Sequence, residues 1–178
     1  MSQLTRRRLL TGLAAAGVSA VLPQWAFADP AEVRVLRFAH LHTGERLKIE
    51  YFRAGGYLPD SLRTIDHLLR DFRTGEEHVI DPGLLDLLHR LTGMTGTNKP
   101  FEVISGYRSP ATNALLHSRS EGVAGGSLHM RGQAIDIRLA DVRLDRLRAA
   151  ALAVRRGGVG YYPASSFVHV DTGRVRTW

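Results

Sequence analysis

The sequence predicts a single α+β domain, a small antiparallel sheet with helices packed beside it. Three observations carry this prediction. Two extended runs, 33–41 and 46–52, flank the turn-like His42-Thr43-Gly44-Glu45. Two stretches with leucines at helical spacing come next, and the second half then reads strand, helix, loop, strand, helix, strand. At 178 residues the chain amounts to one domain, and its 44% apolar and 23% charged residues are globular values that exclude a collagenous, coiled-coil or wholly disordered protein.

Taken in order, the runs at 33–41 and 46–52 form a hairpin. A helix starts at about Asp60, a candidate N-cap, and carries Leu62, Ile65, Leu68, Leu69 and Phe72 on one face. Pro82 suits the first turn of a second helix, where its missing N–H costs nothing, and Leu84, Leu85, Leu87, Leu88 and Leu91 give that helix a core face. Strands at 101–105, 133–139 and 167–171 alternate with helices at 111–118 and 144–154. Glycines gather at Gly122, Gly125 and Gly126 and again at Gly157, Gly158 and Gly160. Neither group has the spacing of a phosphate-binding loop, so both read as turns or mobile loops.

Residues 1–28 differ in kind from the rest. Arg6-Arg7-Arg8 precedes an uncharged stretch that ends in Ala26-Phe27-Ala28, a small-x-small cleavage pattern, and the sequence reads as an export signal of the twin-arginine type. The mature domain is then 29–178, in the periplasm, with no stable membrane insertion. Cleavage removes Arg6, Arg7 and Arg8 and no acid, so the formal charge falls from +7 to +4. No nucleic-acid motif is present, and a mildly basic exported domain matches an anionic envelope polymer better than a nucleic acid. The chain has eight His and no Cys. That excludes disulfides, thiolate metal sites and cysteine nucleophiles, so a metal site must use His and carboxylates.

The chemistry concentrates in two strands. In Gln133-Ala134-Ile135-Asp136-Ile137 the isoleucines share one face and Asp136 takes the other. In Phe167-Val168-His169-Val170-Asp171 the valines face one way while His169 and Asp171 face the other. A carboxylate inside a strand needs a cation, a donor or water. A turn containing Gly132 brings His129 back over the face of Asp136. Two imidazoles and one carboxylate suit zinc, with a fourth position open for water. The other histidines read as solvated, turn or packing residues, with His42 kept as a minor candidate for the site's edge.

Ser127, His129, Gly132, Ala134 and Asp136 reproduce the Ser-x-His-x-x-Gly-x-Ala-x-Asp signature of the LAS metallopeptidases, the group of lysostaphin, D-Ala-D-Ala peptidases and hedgehog domains. His169 falls where that group's third zinc ligand does. The segments 41–45, 105–109, 157–163 and 167–173 resemble the murein endopeptidases within the group, so the resemblance covers nearly all of the mature chain. It implies a hedgehog-like or D-Ala-D-Ala peptidase-like fold with zinc held by His129, Asp136 and His169. The implied activity is hydrolysis of peptidoglycan cross-link peptides, including meso-diaminopimelate to meso-diaminopimelate links, in cell-wall remodelling.

The expected chemistry is attack by zinc-bound water, with a general base to move its proton. Arg108 is the candidate for stabilising the oxyanion or for clamping a substrate carboxylate. Many relatives in the group carry an acid three residues before the last zinc histidine, but here that position is Ser166. Asp171 is the candidate replacement base, or alternatively the acceptor that orients a zinc ligand. A D,D- or L,D-carboxypeptidase and a non-catalytic zinc-containing peptidoglycan-binding module are the alternative functions. Nothing in the residues names a regulatory partner.

Overall fold

The computed structural model describes residues 32–119 and 125–178. The expected leader at 1–28 and Gly122 lie outside the described residues. Among the described residues no helix is long and apolar enough to cross a membrane.

The expected hairpin is present as β1 (Val33–His40) and β2 (Arg46–Arg53), and β2 pairs onward with the short β3 (Gly56–Tyr57). Two helices follow, α1 (Pro59–Leu68) and α2 (Pro82–Thr95). The remaining elements are β4 (Phe101–Ser105), α3 (Pro110–Arg119), a 3-10 turn (Leu128–Arg131), β5 (Ala134–Leu139), α4 (Leu144–Val154), β6 (Gly158–Tyr162), β7 (Phe167–Asp171) and β8 (Arg176–Thr177).

Among the described residues the eight strands join one sheet in the order β3-β2-β1-β4-β5-β7-β6-β8. The block β4-β5-β7-β6 is antiparallel, as expected of the part that carries the candidate residues. The sequence did not announce two parallel pairings, β1 with β4 and β6 with β8. A parallel neighbour requires a long crossover, and α1 and α2 supply it between β1 and β4. Ile135, Ile137, Val168 and Val170 are buried in one core with the α2 leucines and with Leu147 and Ala151 of α4. The helices therefore cover the aliphatic face of the central strands and leave the opposite face for polar groups.

Local chemistry sets the helix ends. Asp81 caps α2 by accepting from the amide of Gly83, Pro82 opens the first turn, and Gly96 closes the helix in the left-handed region. Asp60 is not the N-cap of α1. It lies in the first turn, because Pro59 already occupies N1 and Leu58 is the cap residue. The helix stops at Leu68, so Phe72 lies beyond it, stacked on the ring of His42 at 4.0 Å with the Arg73 guanidinium 4.1 Å over it. His40, at the end of β1, is buried, and its Nδ1 accepts from the amides of His42 and Thr43 at 3.3 and 3.4 Å.

The second glycine cluster departs furthest from expectation. Gly158 and Gly160 sit in β6 and not in a loop. A Cβ at Gly160 would come within 2.8 Å of the Trp178 ring, and one at Gly158 within 2.6 Å of Asp171 Oδ2. These glycines make room for neighbours distant in sequence, a role that a turn signal does not reveal.

Candidate metal centre

Register brings the two polar strand faces together. Asp136 of β5 stands opposite His169 of β7, and His169 in turn stands opposite Gly160 of β6. His129 arrives on the 3-10 turn, which Ser127 opens by accepting the His129 amide on its side chain and Gly132 closes at φ 64. The carbonyl of Gly132 accepts from the amide of Asp81, Thr172 donates its hydroxyl to the Asp81 carboxylate, and the Thr172 amide donates to Gln133. The histidine turn is thereby tied to α2 and to the end of β7.

His129, Asp136 and His169 converge, and all three are buried. His129 Nε2 is 3.2 Å from His169 Nδ1 and 3.3 Å from Asp136 Oδ1, while His169 Nδ1 is 2.8 Å from the same oxygen. Four ligands held tetrahedrally at about 2.1 Å from zinc stand about 3.4 Å apart, so two separations are close to that and the third is at hydrogen-bonding length.

The outer nitrogen of each ring is already engaged. His129 Nδ1 donates to the carbonyl of Gly106 at 2.7 Å, and His169 Nε2 donates to Asp171 Oδ2 at 3.1 Å. A carbonyl and an ionised carboxylate only accept, so these nitrogens carry the protons. Nε2 of His129 and Nδ1 of His169 are left to face each other and Asp136. The donor set, two imidazoles and one carboxylate on a buried patch, fits zinc.

The electrostatics agree. Burial raises the pKa of Asp136, but the neighbouring His129 and the close polar contacts of both imidazoles outweigh it and hold the carboxyl well below its usual range. Burial lowers that of His169, and the Asp136 and Asp171 carboxylates on either side of the ring reverse the sign, leaving it above the ordinary imidazole value. Two carboxylates flanking one buried ring favour a positive charge between them.

Arg108 lies beside the centre. Its guanidinium is 3.8 Å from Asp136 Oδ2, donates to Asn113 Oδ1 at 3.4 Å, and is depressed by burial despite the attraction of Asp136. Its Nε is buried without a hydrogen-bond partner among the described residues. The backbone beneath is fixed at three points. Tyr107 N donates to Leu69, Arg108 N donates to His129, and Asp71 accepts from both the amide and the hydroxyl of Ser109. Asn113 of α3 is buried against this arginine.

Asp171 shares the strand face of His169, as expected, but it lies behind the ring. It is fully buried, Oδ1 accepting from the amides of Gly158 and Gly173 and both oxygens from Arg176. Burial opposes its ionisation, yet the hydrogen bonds from His169, Arg176 and the two amides hold its pKa well below the usual carboxylate value. Ser166, at φ 55, lies in the turn before β7. Tyr107 is buried with its hydroxyl on Glu76, and Tyr162 accepts from Trp178 Nε1. Arg176, Trp178 and Asn113 were not among the sequence candidates.

Comparison with known proteins gives one consistent result. The family model described as peptidoglycan L,D-endopeptidase MepK matches residues 28–178. The peptidoglycan L,D-endopeptidase MepK of Escherichia coli K12 is 48% identical over 175 residues, which span 97% of this chain and 96% of the relative. The same protein from Shigella flexneri matches equally well. A probable peptidoglycan L,D-endopeptidase MepK from Haemophilus influenzae is 44% identical over 181 residues, covering 100% of this chain and 97% of the relative.

Proposed function

This chain belongs to the MepK family of peptidoglycan L,D-endopeptidases, and we propose on that footing that it is a zinc-dependent murein endopeptidase of the periplasm. It cleaves peptide cross-links of peptidoglycan, including those between two meso-diaminopimelate residues, during remodelling of the wall. The observation that carries the reading is the convergence of His129 Nε2, Asp136 Oδ1 and His169 Nδ1 on one buried point, with the remaining ring nitrogens already committed. The leader at 1–28, with its Arg6-Arg7-Arg8 start, is the export signal such a substrate requires. The family match beginning at residue 28 supports that boundary.

His129, Asp136 and His169 hold the metal. Zinc so bound supplies Lewis acidity, polarising a carbonyl and drawing the pKa of water toward about 7. The protein's own groups do the rest. Gly106 and Asp171 fix the tautomers and tilts of the two imidazoles. Arg108 is close enough to the ligand carboxylate to meet a substrate oxygen at the same place, and its loosely satisfied guanidinium gives it donors to offer to a developing oxyanion or to a diaminopimelate carboxylate. The position of Asp171 supports the orienting role over that of proton acceptor, because its carboxylate lies across the ring from the converging ligands and is saturated with donors.

The test is incubation of the purified protein with defined cross-linked muropeptide dimers, untreated, chelated, and chelated with zinc restored, with products read by mass. Conversion of dimers to monomers that stops with chelator and returns with zinc is expected, as is its loss in His129→Ala and His169→Ala proteins. Removal of one terminal residue from an intact dimer would instead mark a carboxypeptidase. Binding without cleavage by a zinc-loaded protein would mark a peptidoglycan-binding module.

A further inference from the structure

We propose that the last strand is a clasp for the metal centre: Arg176 sets the plane of the Asp171 carboxylate and through it the tilt of His169, while Trp178 backs the His169 ring. The inference rests on the zinc reading above, and it extends the site to residues outside the family signature.

β8 is bound to β6 in parallel, with Gly158 opposite Arg176 and Val159 opposite Thr177. The pairing continues through Trp178, whose amide donates to Val159 and whose carbonyl accepts from Tyr161. From that strand Arg176 reaches Asp171 with both prongs, Nη1 to Oδ1 at 3.1 Å and Nη2 to Oδ2 at 2.7 Å. A planar two-pronged guanidinium fixes the plane of a carboxylate as well as its position.

The two oxygens of Asp171 are not equivalent. Oδ1 is held by Gly158 N and Gly173 N at 2.8 Å each, in addition to Arg176. Oδ2, the oxygen that receives His169 Nε2, has Arg176 Nη2 as its other partner among the described residues. If the arginine is removed, the carboxylate keeps its amides on Oδ1 and its charge is still partly compensated, but Oδ2 is free to swing. The ring of His169 then loses its fixed reference, and its Nδ1 wanders from the point that Asp136 and His129 define. Arg176 is therefore a positioning residue, acting through Asp171.

Trp178 restrains the same ring from another side. Its ring lies 5.2 Å from that of His169 at a 50° tilt, its Nε1 donates to Tyr162 at 2.7 Å, and the Arg176 guanidinium covers it at 4.8 Å. Gly160, opposite His169 in register, has no side chain to occupy the place the indole takes.

The experiment compares wild type with Arg176→Met, Arg176→Lys and Trp178→Ala. It measures zinc affinity by chelator competition, the visible absorption of the cobalt(II)-loaded proteins, and thermal unfolding of the metal-free proteins. Arg176→Met is expected to bind zinc about tenfold more weakly and to alter the cobalt spectrum, in a protein that is still folded without metal although less stable than wild type, since a buried carboxylate has lost its ion-pair partner. Arg176→Lys, which keeps the charge and loses the fork, is expected to recover only part of the affinity, and Trp178→Ala to alter the cobalt spectrum in the same sense. A folded Arg176→Met or Arg176→Lys with wild-type zinc affinity and an unchanged cobalt spectrum overturns the inference while the zinc reading stands. A wild-type protein that takes up no zinc overturns both.

Discussion

Asp171 meets His169 at Nε2, 3.1 Å away, on the edge of the ring turned from Asp136 and His129. This relation separates the two roles open to that carboxylate. A group that orients the ligand must act on metal affinity, whereas a proton acceptor must act on turnover. Asp171→Asn replaces an acceptor by a group that also presents N–H donors, so the protein is expected to bind zinc about 10- to 100-fold more weakly in chelator competition. Its turnover should recover substantially when zinc is raised to saturation. Unchanged zinc affinity with turnover lost at every zinc concentration would return Asp171 to the role of base.

Arg108 yields a prediction of the opposite kind. Its contacts with Asp136 and Asn113 are long, at 3.8 and 3.4 Å, so its removal should spare the metal. Arg108→Ala is expected to retain full zinc content and to lose about 10²–10³ in kcat against a muropeptide dimer if the guanidinium meets the oxyanion. If it clamps a ground-state carboxylate, the loss appears as a raised KM with kcat little changed. Steady-state kinetics alongside metal analysis decide between the two, and wild-type kinetics in the variant would remove Arg108 from the site.

The proposed ligands were legible because strand alternation is local. Asp136 and His169 stand out as polar residues on the side of a strand away from isoleucine and valine, and the register that pairs them confirms the face. What lay hidden depends on neighbours far apart in the chain. Gly158 and Gly160 carry the signature of a turn, yet they are strand residues thinned so that Asp171, Arg176 and Trp178 can approach. Arg176 and Trp178 enter through a two-residue strand too short to have a hydrophobic period. Asn113 is hidden in the same way, since its side chain meets the Arg108 guanidinium and the carbonyl of Gly125, contacts that helical spacing does not foretell.

Gly157 tests that packing directly. It sits at φ 72, and a Cβ there would overlap the carbonyl oxygen of Asp171, a backbone atom that cannot turn aside. The left-handed backbone costs a non-glycine residue about 1–2 kcal/mol before any clash. Gly157→Ala is therefore expected to lose at least about 3 kcal/mol in urea unfolding, together with weaker zinc binding, since β7 must move to relieve the overlap. A variant as stable as wild type would show that the β6 entry is looser than its contacts imply.

His40, which is not one of the proposed metal ligands, gives the pH dependence. Burial first, then the neighbouring His42, push its imidazole down to about 4 from an ordinary value of 6.5, against a smaller opposing pull from Glu45. The physical cause is visible, since Nδ1 accepts from two backbone amides and a protonated ring could not. The folded-state value is depressed, so the unfolded chain takes up a proton first. The stability the fold has at neutral pH is fully present above about 6.5 and drains away as pH falls toward 4, by up to about 3 kcal/mol for this one group. His40→Asn keeps a side-chain acceptor near the position of Nδ1 and does not titrate. Urea unfolding at pH 7 and pH 4.5 should therefore show wild type losing more stability than the variant, with the two differing least at pH 7. Parallel losses in the two proteins would mean that His40 charges freely in the fold and that its two amide contacts do not hold it neutral.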